Sequence, residues 1–235
     1  MEAVPRTREL SGTSGHGSLD WVVDRVVGGL AAFHADDPVP RRSATIVEAD
    51  RPTLVLGSSQ RDDTVDRRVA TALGVDVVRR RSGGGAVLLM PGEFAWIDLV
   101  VPAGDPLWSD DVGEAMGWVG SLWVAALGSI DVAGVAHAGP LVRSPWSDAV
   151  CFAGRGTAEV FAAEAPGGKL VGISQRRTKG WARFQTMCHV RWRPELVAAL
   201  TSPPRPAPVD LAGVAGCAPV DPERLAEAVL ARLPG

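Results

Sequence analysis

Apolar residues at Leu19, Val22, Val23, Val26, Val27 and Leu30 recur at helical spacing. They predict a helix over Leu19–Phe33 with Ser18 as its N-cap. Two short β-branched runs follow, Ala44–Val47 and Thr53–Gly57, separated by Asp50-Arg51-Pro52, and predict adjacent strands. Val65–Leu73 predicts a short helix closed by Gly74, and Val75–Val78 a strand. Ala86–Met90 and Phe94–Val101 predict two more strands about a Pro91-Gly92 turn. From Asp110-Asp111 to Leu127 a longer helical pattern runs, its acidic start suited to the positive helix end. Further strands are expected at Ala158–Ala162, Lys169–Ser174 and Trp181–Val190, and a last helix over Pro222–Leu233. This order makes the chain α+β, a mixed, largely antiparallel sheet flanked by helices.

The polar, Gly/Ser-rich residues 1–17 read as a disordered segment, residues 18–202 as the folded unit, and residues 203–235 as a Pro-rich linker with a short helical cap. At 235 residues and 46% hydrophobic, the chain can bury a large core. No apolar run reaches the roughly 20 residues of a membrane span, and the N-terminus has no signal-peptide core. A cytoplasmic protein with no membrane partner is expected. A net charge of −3 argues against a nucleic-acid partner. The three cysteines, Cys151, Cys188 and Cys217, lack the number and spacing of a disulfide framework or a structural metal site, so no metal is expected. Of 24 Lys and Arg, only Lys169 and Lys179 are lysines, which singles out Gly167-Gly168-Lys169 as a place where a compact ammonium is needed.

The most unusual stretch is Arg79-Arg80-Arg81-Ser82-Gly83-Gly84-Gly85-Ala86-Val87. Glycines between two strands let the backbone approach a ligand and aim successive N–H groups at an anion, and arginines beside them add charge-assisted contacts. No Gly-Lys-Ser/Thr follows, so this is not a P-loop, and a strand after the glycines excludes the dinucleotide fingerprint. On its own a Gly triplet also fits a tight structural turn.

The whole string closely resembles the defining motif of the lipoate-protein ligase A family, grouped with biotin-protein ligases and octanoyl transferases. Pro52-Thr53-Leu54-Val55-Leu56-Gly57-Ser58-Ser59-Gln60 is similar to the strand and turn preceding that family's glycine loop. Gly168-Lys169-Leu170-Val171-Gly172-Ile173-Ser174-Gln175-Arg176-Arg177 resembles its lysine strand. The likeness runs over residues 20–200 and implies the biotin/lipoate ligase catalytic fold. It also implies roles: Arg79 and Arg80 at the phosphate, Ser82, Gly83, Gly84, Gly85 and Ala86 along an acyl-adenylate, Gly172 and Ser174 beside it, and Lys169 at the reacting carbonyl. A lysine there can follow an oxygen whose charge grows in the transition state.

Two routes follow from the resemblance, of which the Arg79–Val87 string favours the first, the ligase. A ligase would activate lipoate or octanoate with ATP and Mg2+ and pass it to a lysine of a 2-oxo-acid dehydrogenase lipoyl domain or the glycine-cleavage carrier protein. A transferase would need no nucleotide, taking octanoate from acyl carrier protein or another lipoyl protein. In one octanoyl-transferase branch a Cys-Phe pair precedes the lysine strand, and Cys151-Phe152 matches it. A thiolate there would be favoured by Lys169, Arg79 and Arg80. The same thiol could be packing, and a separation beyond about 8 Å from the Gly83 loop would exclude catalysis by it.

The sequence departs from the ligase pattern in several places. Leu88, Leu89 and Met90 stand where the ligases are polar, and Phe184-Gln185-Thr186-Met187 where they carry a His. Both predict a more apolar pocket. The segment after Pro203 is too short for the ligases' accessory domain, so adenylation would draw on a separate partner chain. The full Gly triplet departs from the transferase branch, which tends to hold an Arg in that loop. A third reading is a non-catalytic acyl- or lipoyl-domain-binding relative; biotin transfer is a minor fourth. His137 is a candidate base with a loop role as its alternative, Trp96 and Trp181 are candidates to line an acyl tunnel, and Cys188 and Cys217 read as core thiols.

Overall fold

The computed structural model describes residues 20–164 and 167–235. The segment read as disordered, together with Ser18 and Leu19, lies outside the described residues. The chain forms β1 (Val22–Val27), α1 (Leu30–Ala35), β2 (Ser43–Glu48), β3 (Thr53–Leu56), α2 (Arg67–Ala72), β4 (Asp76–Arg79), β5 (Val87–Leu89) and β6 (Phe94–Pro102). It continues with α3 (Val112–Gly128), β7 (Gly134–Ala136), β8 (Val160–Ala162), β9 (Lys169–Arg177), β10 (Trp181–His189), α4 (Pro194–Leu200), α5 (Pro208–Leu211) and α6 (Pro222–Leu230).

Seven strands make one sheet in the order β1-β2-β6-β10-β9-β8-β7, and β4-β3-β5 make a second. The large sheet is antiparallel except for β1 beside β2. Period-two alternation builds the layers. Along β6, Ala95, Ile97, Leu99 and Val101 enter a core with Val119, Trp123 and Leu127 of α3 and Leu225 and Val229 of α6. Phe94 and Trp96 point the other way, into a core shared with Val55, Val87 and Leu89 of the small sheet. The intervening Leu54, Leu56 and Leu88 face Ala70, Val197 and Leu211, so α2, α4 and α5 cover the outer side. Among the described residues no helix is long and apolar enough to cross a membrane.

Two expectations are corrected here. The helix expected over Leu19–Phe33 is strand β1, then Gly28 and Gly29 at φ +67° and +61°, then α1. Four valines in six residues favour a pleated strand, and Gly-Gly in the left-handed region breaks the helical pattern. β2 and β3 are not neighbours either. The loop between them passes from one sheet to the other, and Val47 and Val55 enter the same core between the sheets. Strand β7, at the free edge, is too short to leave a periodic signal.

Candidate active site

The glycine loop leaves β4 and returns through β5, two strands that flank β3 on either side. Its shape is fixed from within by Arg80, which is 1% exposed. That guanidinium donates to the carbonyls of Val55 (3.2 Å), Gly83 (2.6 Å) and Gly85 (2.9 Å) and to Ser82 Oγ (3.1 Å). Arg79 donates to the carbonyls of Gly57 (2.8 Å) and Gln60 (2.6 Å) and pairs with Asp62 at 2.6 Å. Both arginines were expected to face a phosphate. The geometry instead gives their donors to loop carbonyls, because buried C=O groups at a tight turn need partners. Both hold the loop in its shape.

Ser82, also buried, donates to Gln185 Oε1 at 2.6 Å, and Ser174 Oγ stands 2.9 Å away. Gln185 Nε2 in turn reaches Asp98 Oδ2 at 3.3 Å, and Asp98 is ion-paired with Arg183. Gly57 and Gly85 are required by space. A Cβ on Gly57 would come within 1.8 Å of the Gly84 carbonyl oxygen, and one on Gly85 within 2.6 Å of the Cys151 nitrogen. Gly84 itself has φ +95°.

Cys151 is stitched to this loop. Its N–H donates to Ala86 O at 3.0 Å, and Ala86 N–H donates to Ala149 O at 2.9 Å. A Cβ at Gly84 would stand 3.6 Å from Cys151 Sγ and 2.9 Å from Arg80 Nη2. The thiol therefore lies against the loop, inside the roughly 8 Å limit set by hydrogen-bond and attack distances. Burial pushes the Arg80 guanidinium below the ordinary arginine value, opposed by the charge of and hydrogen bond to Cys151.

Lys169 opens β9 and is 1% exposed. Its Nζ lies 2.7 Å from Glu159 Oε2, donates to Cys151 O at 2.8 Å, and stands 5.4 Å from the centre of the Phe152 ring. Gly172 gives that ring room, since a Cβ there would meet it at 3.3 Å. Glu159, just before β8, is 4% exposed and accepts from the backbone N–H groups of Gly156 and Ile173. The sequence reading missed it, although a lone carboxylate in the apolar run Ala158–Ala162 was a usable signal. Beyond α5 the chain returns as a strap: Lys169 N–H donates to Val214 O and Gly216 N–H to Lys169 O, each at 2.9 Å.

Gly83, Gly84, Gly85, Cys151, Glu159, Lys169 and Ser174 line one cleft of about 630 Å³. The lining also includes the apolar Val112, Met116, Leu141 and Ile173 and the polar Gln60, Arg61, Arg143 and Asp148. Gln175 also lines it, its amide oxygen and nitrogen shielded and without a hydrogen-bond partner. Leu88 and Leu89 do not make the cleft apolar, as expected of them, because both sides of β5 are packed in cores. Trp96 and Trp181 are not tunnel walls. Trp96 is buried between the sheets and donates to Asp98, and Trp181 is buried beside Arg176. His137 contacts Pro140 O at 3.0 Å through its ring and is not among the residues lining the cleft. Cys188 is fully buried, its thiol pushed up to about 12 by desolvation, and burial also raises Cys217. Among the described residues no group of three or more His, Cys, Asp or Glu could hold a metal ion.

The sequence profile of the lipoyl protein ligase A/B catalytic domain matches residues 30–207. No curated protein matches by sequence. Among solved structures, lipoate-protein ligase A bound with ATP is similar at TM-score 0.67 and 14% identity, over 90% of this chain and 82% of that one. A Thermoplasma acidophilum protein described as a lipoate protein ligase with bound lipoic acid is similar at 0.65 and 15%, over 90% and 82%. The bipartite lipoate protein ligase of the same organism, studied with its E2 lipoyl domain, is similar at 0.64 and 15%, over 86% and 73%. At these identities the likeness is one of fold.

Proposed function

The chain belongs to the lipoyl protein ligase A/B catalytic-domain family, and from that premise we propose that it transfers an octanoyl or lipoyl group to a lysine of a lipoyl domain through a Cys151 thioester. The observation that carries this reading is the Cys151 sulfur lying against Gly84 in the cleft, with Lys169 bonded to the carbonyl of the same residue. In the first half, Cys151 Sγ attacks the carbonyl of an acyl thioester on a carrier protein. The carrier's thiolate leaves and takes up a proton, and the acyl group stays on Cys151. In the second half, the neutral amine of the acceptor lysine attacks, an amide forms, and the Cys151 thiolate departs as the amine gives its extra proton to water.

Both halves place negative charge on the acyl oxygen. Lys169 has three N–H donors, of which two serve Glu159 and Cys151, leaving one for that oxygen. The backbone at Gly83 to Gly85 can pass close to the acyl group for want of side chains. Val112, Met116 and Ile173 would take its apolar tail. The catalytic unit in this reading includes the C-terminal segment, since Val214 and Gly216 hold Lys169.

The ATP-dependent ligase is the second reading, supported by the fold shared with the ATP-bound and lipoic-acid-bound relatives. With Arg79 and Arg80 committed to the loop, the triphosphate with its Mg2+ would fall to Arg61 and Arg143 in the cleft lining, which would have to leave their partners Asp63 and Asp148 to meet it.

Intact mass of an apo lipoyl domain separates the two. With octanoyl carrier protein and no ATP, wild-type protein is expected to add one octanoyl group, and quenched reactions to show the acyl adduct on the enzyme. Cys151→Ser is expected to lose both. Modification only with free acid and Mg-ATP, undiminished in Cys151→Ser, would overturn the thioester route in favour of the ligase.

A further inference from the structure

Glu159 lines the cleft with a carboxylate whose side chain is 5% exposed, paired with Lys169. A buried carboxylate is costly unless its oxygens are partnered. Here each oxygen has a backbone donor, Gly156 for Oε2 and Ile173 for Oε1, so the carboxylate is held from two chain segments before it meets Lys169. Lys169 in turn is fenced by the Phe152 ring at 5.4 Å and the Phe161 ring at 6.0 Å. Its four-carbon stem would otherwise sample many rotamers.

We infer that Glu159 is a positioning residue that acts through Lys169: it pins the ammonium so that one N–H points at the acyl oxygen and another holds the Cys151 carbonyl. This rests on the acyl-transfer reading of the cleft and on no choice between its thioester and adenylate routes. Glu159→Gln keeps the size and one acceptor oxygen while removing the charge that fixes the ammonium. Glu159→Asp keeps the charge and withdraws it by one methylene.

The test is a double-mutant cycle of Glu159→Gln with Lys169→Ala, read as initial rate of acyl addition to an apo lipoyl domain. It uses whichever donor, octanoyl carrier protein or octanoate with Mg-ATP, the wild type turns over. Glu159→Gln is expected to lower kcat about 10- to 100-fold with KM little changed, less than the roughly 100- to 1,000-fold loss expected of a direct donor. Glu159→Asp is expected to recover part of the rate, and Glu159→Gln to cost nothing more once Lys169 is Ala. An equal loss in both backgrounds, or no loss in the first, would overturn the inference. If Glu159→Gln fails to fold, Glu159→Asp in the same cycle decides it by the same non-additivity. A wild type inert with both donors would overturn the acyl-transfer reading itself, and this inference with it.

Discussion

Residue by residue, the cleft depends on groups with few tolerable replacements. Lys169→Ala is expected to cost about 100- to 1,000-fold in acyl-transfer rate. Lys169→Arg should recover little, because a planar fork cannot fit between the Glu159 carboxylate, the Cys151 carbonyl and the Phe152 ring as a point charge does. Steady-state rates with an apo lipoyl domain check both. Gly57→Ala acts at a distance: its methyl would overlap the Gly84 carbonyl, 1.8 Å away, so the loop must shift. The expected result is about 1–3 kcal/mol of lost stability by denaturant titration together with loss of Cys151 acylation. Glycines and the lysine were legible in the sequence because their demands are local and chemical. Glu159 stood out only as a carboxylate in an apolar run, and its partner could not be read, because the pair exists only once β8 and β9 join and bring it to Lys169.

Elements set the dimensions of the cleft. The N-cap of α3 is Asp111, which accepts from Glu114 N–H at 2.8 Å, and the helix then presents Val112 and Met116, one turn apart, to the cleft. Asp111→Ala is expected to cost about 1 kcal/mol, seen as a fall of roughly 2–4 °C in Tm. Met116→Trp should shorten the acyl chain accepted, with competition between hexanoyl and octanoyl donors shifting roughly 10-fold or more towards the shorter one. Helix α3 could be read from its 3.6 periodicity and acidic start. Strand β1 could not, since valines at 22, 23, 26 and 27 satisfy a helical face as well as an edge strand, and only pairing with β2 decides between them. The separation of β2 from β3 into two sheets was equally hidden, because alternation says which residues are buried and not which sheet they face.

The whole molecule carries a pH limit in its buried histidines. Desolvation pushes His34 and His189 down to about 3, with the Arg183 and Arg80 charges adding to the shift at His34 and Glu93 opposing it at His189. The folded values lie below the ordinary 6.5, so the unfolded chain binds protons first as pH falls. Their contribution to stability is complete above pH 6.5 and is lost progressively as pH falls from 6.5 towards 3. Urea unfolding at pH 7 and pH 5 is expected to show a lower midpoint at pH 5, and equal midpoints would refute it.

The strap has a consequence for how the protein is made. Val214 and Gly216 close on Lys169, while Pro234 accepts from the Trp21 indole and Glu223 pairs with Arg25 at the other end of the chain. Synthesis runs from the N-terminus, so the glycine loop, Cys151 and Lys169 all leave the ribosome before the residues that fix the lysine strand. A nascent chain stalled before residue 216 therefore holds every reactive group and an unfinished cleft. If the cleft transfers acyl groups as proposed, acylation is expected to begin only once residues 214–216 have emerged and closed on Lys169.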